Sequence, residues 1–147
     1  MRHSWFPGTP LLFLTLASTG ACSGLVAGPE SSSVTPVPAS RDSAYVRARR
    51  ALSGESFTVD VADSTGGRLT ATRYPSSSAV LGSSAKCRVT VALQLSGNDQ
   101  QAQVATTSRW VAPELMSDKA PKVCEQERSE VLERMASVLA PPPPATP

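Results

Sequence analysis

The chain has 147 residues, 40% of them apolar, and a formal charge of +2. That length holds one domain with flanks, and the near-neutral balance excludes the basic stripe of a nucleic-acid binder. The single histidine is His3, so the body of the chain lacks the commonest general base and the commonest zinc ligand.

Arg2 and His3 give a short positive start, and Leu11-Leu12-Phe13-Leu14-Thr15-Leu16-Ala17 forms an apolar centre. At roughly 10 apolar residues it is too short to span a ~30 Å hydrocarbon core as a helix. Small residues follow, ending in Thr19-Gly20-Ala21-Cys22. This is the anatomy of a signal peptide over residues 1–21 with a cysteine at the cut. The stretch resembles the lipobox of bacterial lipoproteins, with Thr19 standing where that motif usually has leucine. The resemblance implies a thioether-linked diacylglycerol on Cys22 and an amide-linked acyl chain, a multi-chain anchor that holds stably to a membrane. Ser23 after the cysteine implies an outer-membrane address, facing the periplasm. The alternative is an ordinary secretory signal and a soluble secreted or periplasmic protein.

Residues 22–40 are expected to be the lipidated cysteine and a flexible tether. Gly24, Gly28, Pro29, Ser31, Ser32, Ser33, Pro36 and Pro38 fill the segment, and such a composition buries too little apolar area to offset its ordering entropy. As a coil it spans ~25 Å, enough to hold a domain clear of lipid headgroups.

The folded domain is expected over residues 41–140. A helix reads over Asp42 to Ser53, with Ala44, Tyr45, Ala48, Ala51 and Leu52 on one stripe, Ser40 or Asp42 as its cap, and Gly54 in the left-handed position after its end. The period then changes to two. Phe57, Val59 and Val61 alternate with Thr58 and Asp60, Asp63 to Gly67 supplies a turn, and Leu69 and Ala71 continue a hairpin with one apolar face. A serine-rich loop holds Val80 and Leu81. Lys86 to Ser96 is the strongest strand, with Cys87, Val89, Val91, Leu93 and Leu95 sharing a face. Gln100 to Val111 follows, with Ala102, Val104 and Trp110 on one side. Pro121 suits the start of a helix. Cys124, Val131, Leu132, Met135, Val138 and Leu139 then form its stripe, with Glu125, Glu127, Glu130, Glu133 and Arg134 covering the outside and Glu130–Arg134 as an i, i+4 pair. Pro141 ends the helix, and residues 141–147 read as a disordered proline-rich tail. The expected fold is α+β: a two-layer sandwich with a four-stranded antiparallel sheet and a helix from each end of the domain on its one apolar face, in the order α-β-β-β-β-α.

Assigning Cys22 to the lipid leaves Cys87 and Cys124. Both lie on inward parity of their elements, which is what a disulfide requires; the alternative is a pair of buried free thiols. Arg47, Arg49 and Arg50 place three guanidinium groups on one helix, a candidate contact for phosphate, a lipid headgroup or an acidic partner, against the plainer reading of a solvated face. Asp60 is expected on the outer sheet face and Asp63 in a turn, where aspartate serves local hydrogen bonds. No histidine remains to activate a serine. No catalytic residue, metal ligand or cofactor is therefore expected.

The leader, the Ser/Pro segment and the phrasing Ala44-Tyr45-Val46-Arg47-Ala48, Phe57-Thr58-Val59 and Gly67-Arg68-Leu69-Thr70-Ala71-Thr72-Arg73 resemble a single domain of the BamC-type lipoproteins of outer-membrane barrel assembly. The resemblance implies an accessory role in outer-membrane assembly. The function expected is a non-catalytic, membrane-anchored envelope lipoprotein that meets the membrane through its lipid and an envelope protein through its domain. The alternative is a periplasmic lipoprotein binding a small ligand or a glycan on the exposed sheet face, at Thr58, Thr70, Thr72, Thr90 and Gln94, or at the Val80–Leu81 loop.

Overall fold

The computed structural model describes residues 24–75, 86–113 and 118–140. The leader with Cys22, the loop carrying Val80 and Leu81, and the proline tail lie outside the described residues. In chain order the elements are β1 (Leu25–Ala27), β2 (Ser31–Val37), α1 (Arg41–Gly54), β3 (Thr58–Asp63), β4 (Arg68–Arg73), β5 (Arg88–Gly97), β6 (Ala102–Pro113) and α2 (Ala120–Leu139).

The architecture is α+β, with an antiparallel sheet and one helix from each end, but the sheet has six strands where four were expected. The order is β1-β6-β5-β4-β3, with β2 also on β6. The two additional strands come from the segment read as a tether. They occupy successive stretches of the same β6 edge: Leu25–Ala27 faces Val111–Pro113, and Ser31–Val37 faces Ala102–Ser108. Together they form one edge strand interrupted at Gly28-Pro29-Glu30. Proline is tolerated on an edge, where its missing N–H interrupts no inner ladder, so Pro36 pairs with Gln103 without breaking the strand. Val37 is fully buried and Val26 is partly so. These two are the apolar anchors that a linker composition concealed.

The inward face of the sheet carries Leu69, Ala71, Val89, Val91, Leu93, Leu95, Val104 and Trp110, all buried. Both helices lie over it and pack on each other. The expected alternation along β5 and β6 holds, and Thr106 and Ser108 extend the buried set. Along β3 it does not hold. A bulge between Val59 and Val61 shifts the register, so Val61 pairs with Thr70 on the outer face and is half exposed. One extra residue in a strand reverses the parity of those that follow.

α1 begins at Ser40, whose hydroxyl accepts from the Ser43 N–H at 3.2 Å. Gly54 is the last helical residue rather than the left-handed one after it; that conformation falls to Ser56, at φ 61°. The tight turn at Gly67 does need glycine: its φ is 67°, and a Cβ would press on the Leu95 carbonyl.

Candidate functional site

The cysteines expected to face one another do so. Cys87, just before β5, and Cys124, in the first turns of α2, form a disulfide with Cα atoms 5.6 Å apart. Both are fully buried, so the bond ties α2 to the sheet from within the core.

The three arginines of α1 separate into two roles. Arg47 is half-buried and donates to the Leu139 carbonyl at 3.4 Å, near the C-terminal end of α2. Arg49 and Arg50 are exposed and form no ion pair among the described residues. They flank Val46, which is also exposed, on an open shallow face of the helix with Ser43 and Ser53. The structure thus leaves a pair of free guanidinium groups where the sequence suggests three.

Asp60 stands on the outer face as expected and accepts from Thr72 Oγ1 at 2.7 Å. Thr72 is consequently buried, which removes it from the exposed polar set formed by Thr58 and Gln94. Asp63 accepts from the Gly66 N–H at 2.8 Å and lies 3.4 Å from Arg68. The Gly66 bond, aided by Arg68, holds its carboxyl below the ordinary aspartate range. That is turn chemistry. Among the described residues no group of three His, Cys, Asp or Glu side chains could hold a metal ion.

A polar cluster that the sequence reading missed lies under α2. Arg128 is only 4% exposed. Its guanidinium donates to the Pro29 carbonyl at 2.7 Å and to the Ser108 carbonyl at 3.5 Å, and pairs with Glu125. Glu125 also accepts from the Trp110 indole N–H at 3.2 Å. The Ser108 hydroxyl beside them is buried with no hydrogen-bond partner. The signal was available. Cys124, Arg128, Val131, Met135 and Leu139 all lie on one helical stripe, so Arg128 occupies an inward position and only its charge argued otherwise.

Of the outward carboxylates of α2, Glu127 and Glu130 are engaged as well. Glu127 is largely buried, pairs with Arg73 at 3.3 Å and accepts from the Lys86 N–H at 3.1 Å. Arg134 turns from the expected Glu130 to Glu55, which it grips with two 2.9 Å bonds. These bonds raise the Arg134 pKa above its ordinary value, which is already very high. Glu130 instead accepts from Gln126.

Between β2 and the second half of α2 lies a small cleft lined by Ser33, Thr35, Thr106, Leu132, Met135 and Leu139. Its free volume is about 30 Å³, room for a water molecule and far below the ~300 Å³ at which ligand pockets begin. Among the described residues no helix is long and apolar enough to cross a membrane.

No protein-family model and no curated protein matches the sequence. Likeness is found in solved structures. The di-domain aromatase/cyclase BexL of the BE-7585A biosynthetic pathway superposes with a TM-score of 0.53 at 11% identity, over 76% of this chain and 45% of its own. This chain therefore spans less than half of that protein. Ara h 8.0201 superposes with a TM-score of 0.50 at 8% identity, over 79% of this chain and 95% of its own. At these identities what is shared is the fold: a sheet with helices across one face.

Proposed function

We propose that the chain is a membrane-anchored envelope lipoprotein whose domain is a non-catalytic accessory or interaction module at the periplasmic side of the outer membrane. The observation that carries this reading is the pairing of cysteines. Cys87 and Cys124 bond to each other, which leaves Cys22 as the odd thiol, at the end of a leader with lipobox character. A disulfide inside a small core supports export to an oxidising compartment. The BamC-type resemblance supports a place in outer-membrane assembly. Glu125, Glu127, Asp63 and Asp60 are engaged with Arg128, Arg73, Arg68 and Thr72, and the non-catalytic reading rests on the sequence, which has no histidine after His3 to act as a general base. Radiolabelled palmitate should enter the wild-type chain and not the Cys22→Ser variant. Equal label in both overturns the proposal.

A second reading follows from the fold. BexL is an aromatase/cyclase, so this scaffold elsewhere handles a small molecule. By that reading the domain is a small-ligand or glycan binder. The 30 Å³ cleft under α2 disfavours it at that place, while the outer face, with Thr58 and Gln94 exposed and Thr70 and Thr90 half-buried, remains open to it. A ligand at 100 times its Kd stabilises a fold by about 2.7 kcal/mol. A screen of glycans and small aromatics for a rise in Tm therefore separates the two readings.

A further inference from the structure

We infer that the domain rests directly on the membrane, with one end of its sheet as the lipid-facing surface. This rests on the lipid anchor proposed above at Cys22. The tether read from composition does not exist as a spacer, because β1 begins at Leu25 and is held on β6 in register with Pro113. Three peptide units separate Cys22 from Leu25. Fully extended, they reach at most about 11 Å. A lipid on Cys22 thus brings the start of β1 within that distance of the anchoring point, where an 18-residue coil would have allowed more than twice as much.

The residues gathered at this end suit a lipid surface. β5 starts beside the end of β6, with Arg88 opposite Val111, and β4 ends beside β5, with Arg73 opposite Val89. Tyr74 follows Arg73, and the Arg88 guanidinium lies over its ring, 5.7 Å from the centroid. α2 runs back along β6: Glu125 meets Trp110, while Met135 and Leu139 line the cleft with Thr106. Its first turn therefore lies at the Pro113 end, with Lys119 and Lys122 exposed. Leu25 is 50% exposed and Tyr74 55%. Among the described residues the end so formed carries Leu25, Tyr74, Lys86, Arg88, Lys119 and Lys122, with Asp118 as an acid in no ion pair; residues 76–85 and 114–117, which join elements there, lie outside the described residues. Tyrosine settles at the headgroup level with its ring in the apolar layer and its hydroxyl in water, and each Lys or Arg near an anionic surface strengthens binding about fivefold. The opposite end of β5, at Ser96, is about 27 Å away along the strand, and the arginines nearest it, Arg41 and Arg68, are paired with Asp42 and Asp63.

Lipidated Tyr74→Trp and Ser96→Trp proteins in phosphatidylethanolamine–phosphatidylglycerol vesicles test the orientation, with acyl chains brominated near the headgroup as quenchers. Trp110 supplies the same background in both. The Tyr74→Trp emission should shift to shorter wavelength and be quenched, and the Ser96→Trp emission should do neither. Adding Lys119→Gln and Lys122→Gln to Tyr74→Trp should reduce the quenching. The mass of the mature N-terminus is read on the same preparation. A lipidated chain in which both tryptophans respond alike overturns the orientation and leaves the lipoprotein reading standing. A chain with no lipid on Cys22 overturns both.

Discussion

Arg128, on the buried face of α2, donates to the carbonyl of Pro29, 99 residues before it, at 2.7 Å. That bond falls at the break between β1 and β2, where the edge strand leaves the β6 ladder and returns. The Gly28 N–H, one residue earlier, bonds the Trp110 carbonyl at 3.0 Å, and a Cβ on Gly28 would overlap the Trp110 indole. The first strands are thus clamped by an arginine, an indole and a glycine.

Removing either part of the clamp should loosen the edge. Arg128→Ala leaves the Pro29 carbonyl without its donor and opens a void beneath α2, at a cost of about 2–4 kcal/mol. Gly28→Ala sets a methyl group against a packed ring, at about 1–3 kcal/mol. Urea unfolding gives both values. Hydrogen exchange of the β2 amides should quicken more than that of β5 in either variant, since local opening begins where few contacts hold a strand.

The Cys87–Cys124 bond closes a loop of 37 residues in sequence separation. In the loop-entropy description such a bond contributes about 4 kcal/mol. The double variant Cys87→Ala/Cys124→Ala should lose about that much, and a reducing agent should lower the Tm of the wild type but not of the variant. Thiol titration of the denatured, unreduced domain should find neither cysteine free.

Asp63 supplies a pH dependence. Its folded carboxyl binds a proton less readily than the unfolded one, chiefly because it accepts from the Gly66 N–H. The stability so contributed is present above the ordinary aspartate range and is lost as pH falls through the lowered folded value. Asp63→Asn should flatten the stability profile on the acid side of the ordinary aspartate range. The side chain is at the surface, so the profile changes shape more than height.

The α1 arginines should divide as the structure divides them. Arg49→Gln and Arg50→Gln together should change stability by no more than about 0.5 kcal/mol, as for exposed side chains without partners. Arg47→Ala, which removes a donor from the last carbonyls of α2, should cost about 1 kcal/mol. Thermal unfolding of the two variants side by side decides the point.

Much of the fold was legible from periodicity. The stripes of Ala44, Ala48 and Leu52 and of Cys124, Val131 and Met135, and the alternation of Val89, Val91, Leu93 and Leu95, are all buried as spaced. The shared inward parity of Cys87 and Cys124 foretold their bond. β2 was not legible. Ser31-Ser32-Ser33-Val34-Thr35-Pro36-Val37 offers one fully buried side chain, too little to distinguish an edge strand from a coil by composition.

What the sequence determined by itself is what local patterning can carry: two amphipathic helices, a sheet with one apolar face, and the pairing that follows from parity. What only the tertiary structure decided is where the weakly patterned pieces go. Ser31–Val37 is a strand because β6 presents an unpaired edge that satisfies its backbone. Arg128 is buried because Pro29, Ser108 and Glu125 converge on it to accept its hydrogen bonds. The β6 edge and the Pro29 carbonyl are distant in sequence from the residues they hold, and no short window along the chain contains both sides of those contacts; only Glu125 lies within a helical turn of Arg128.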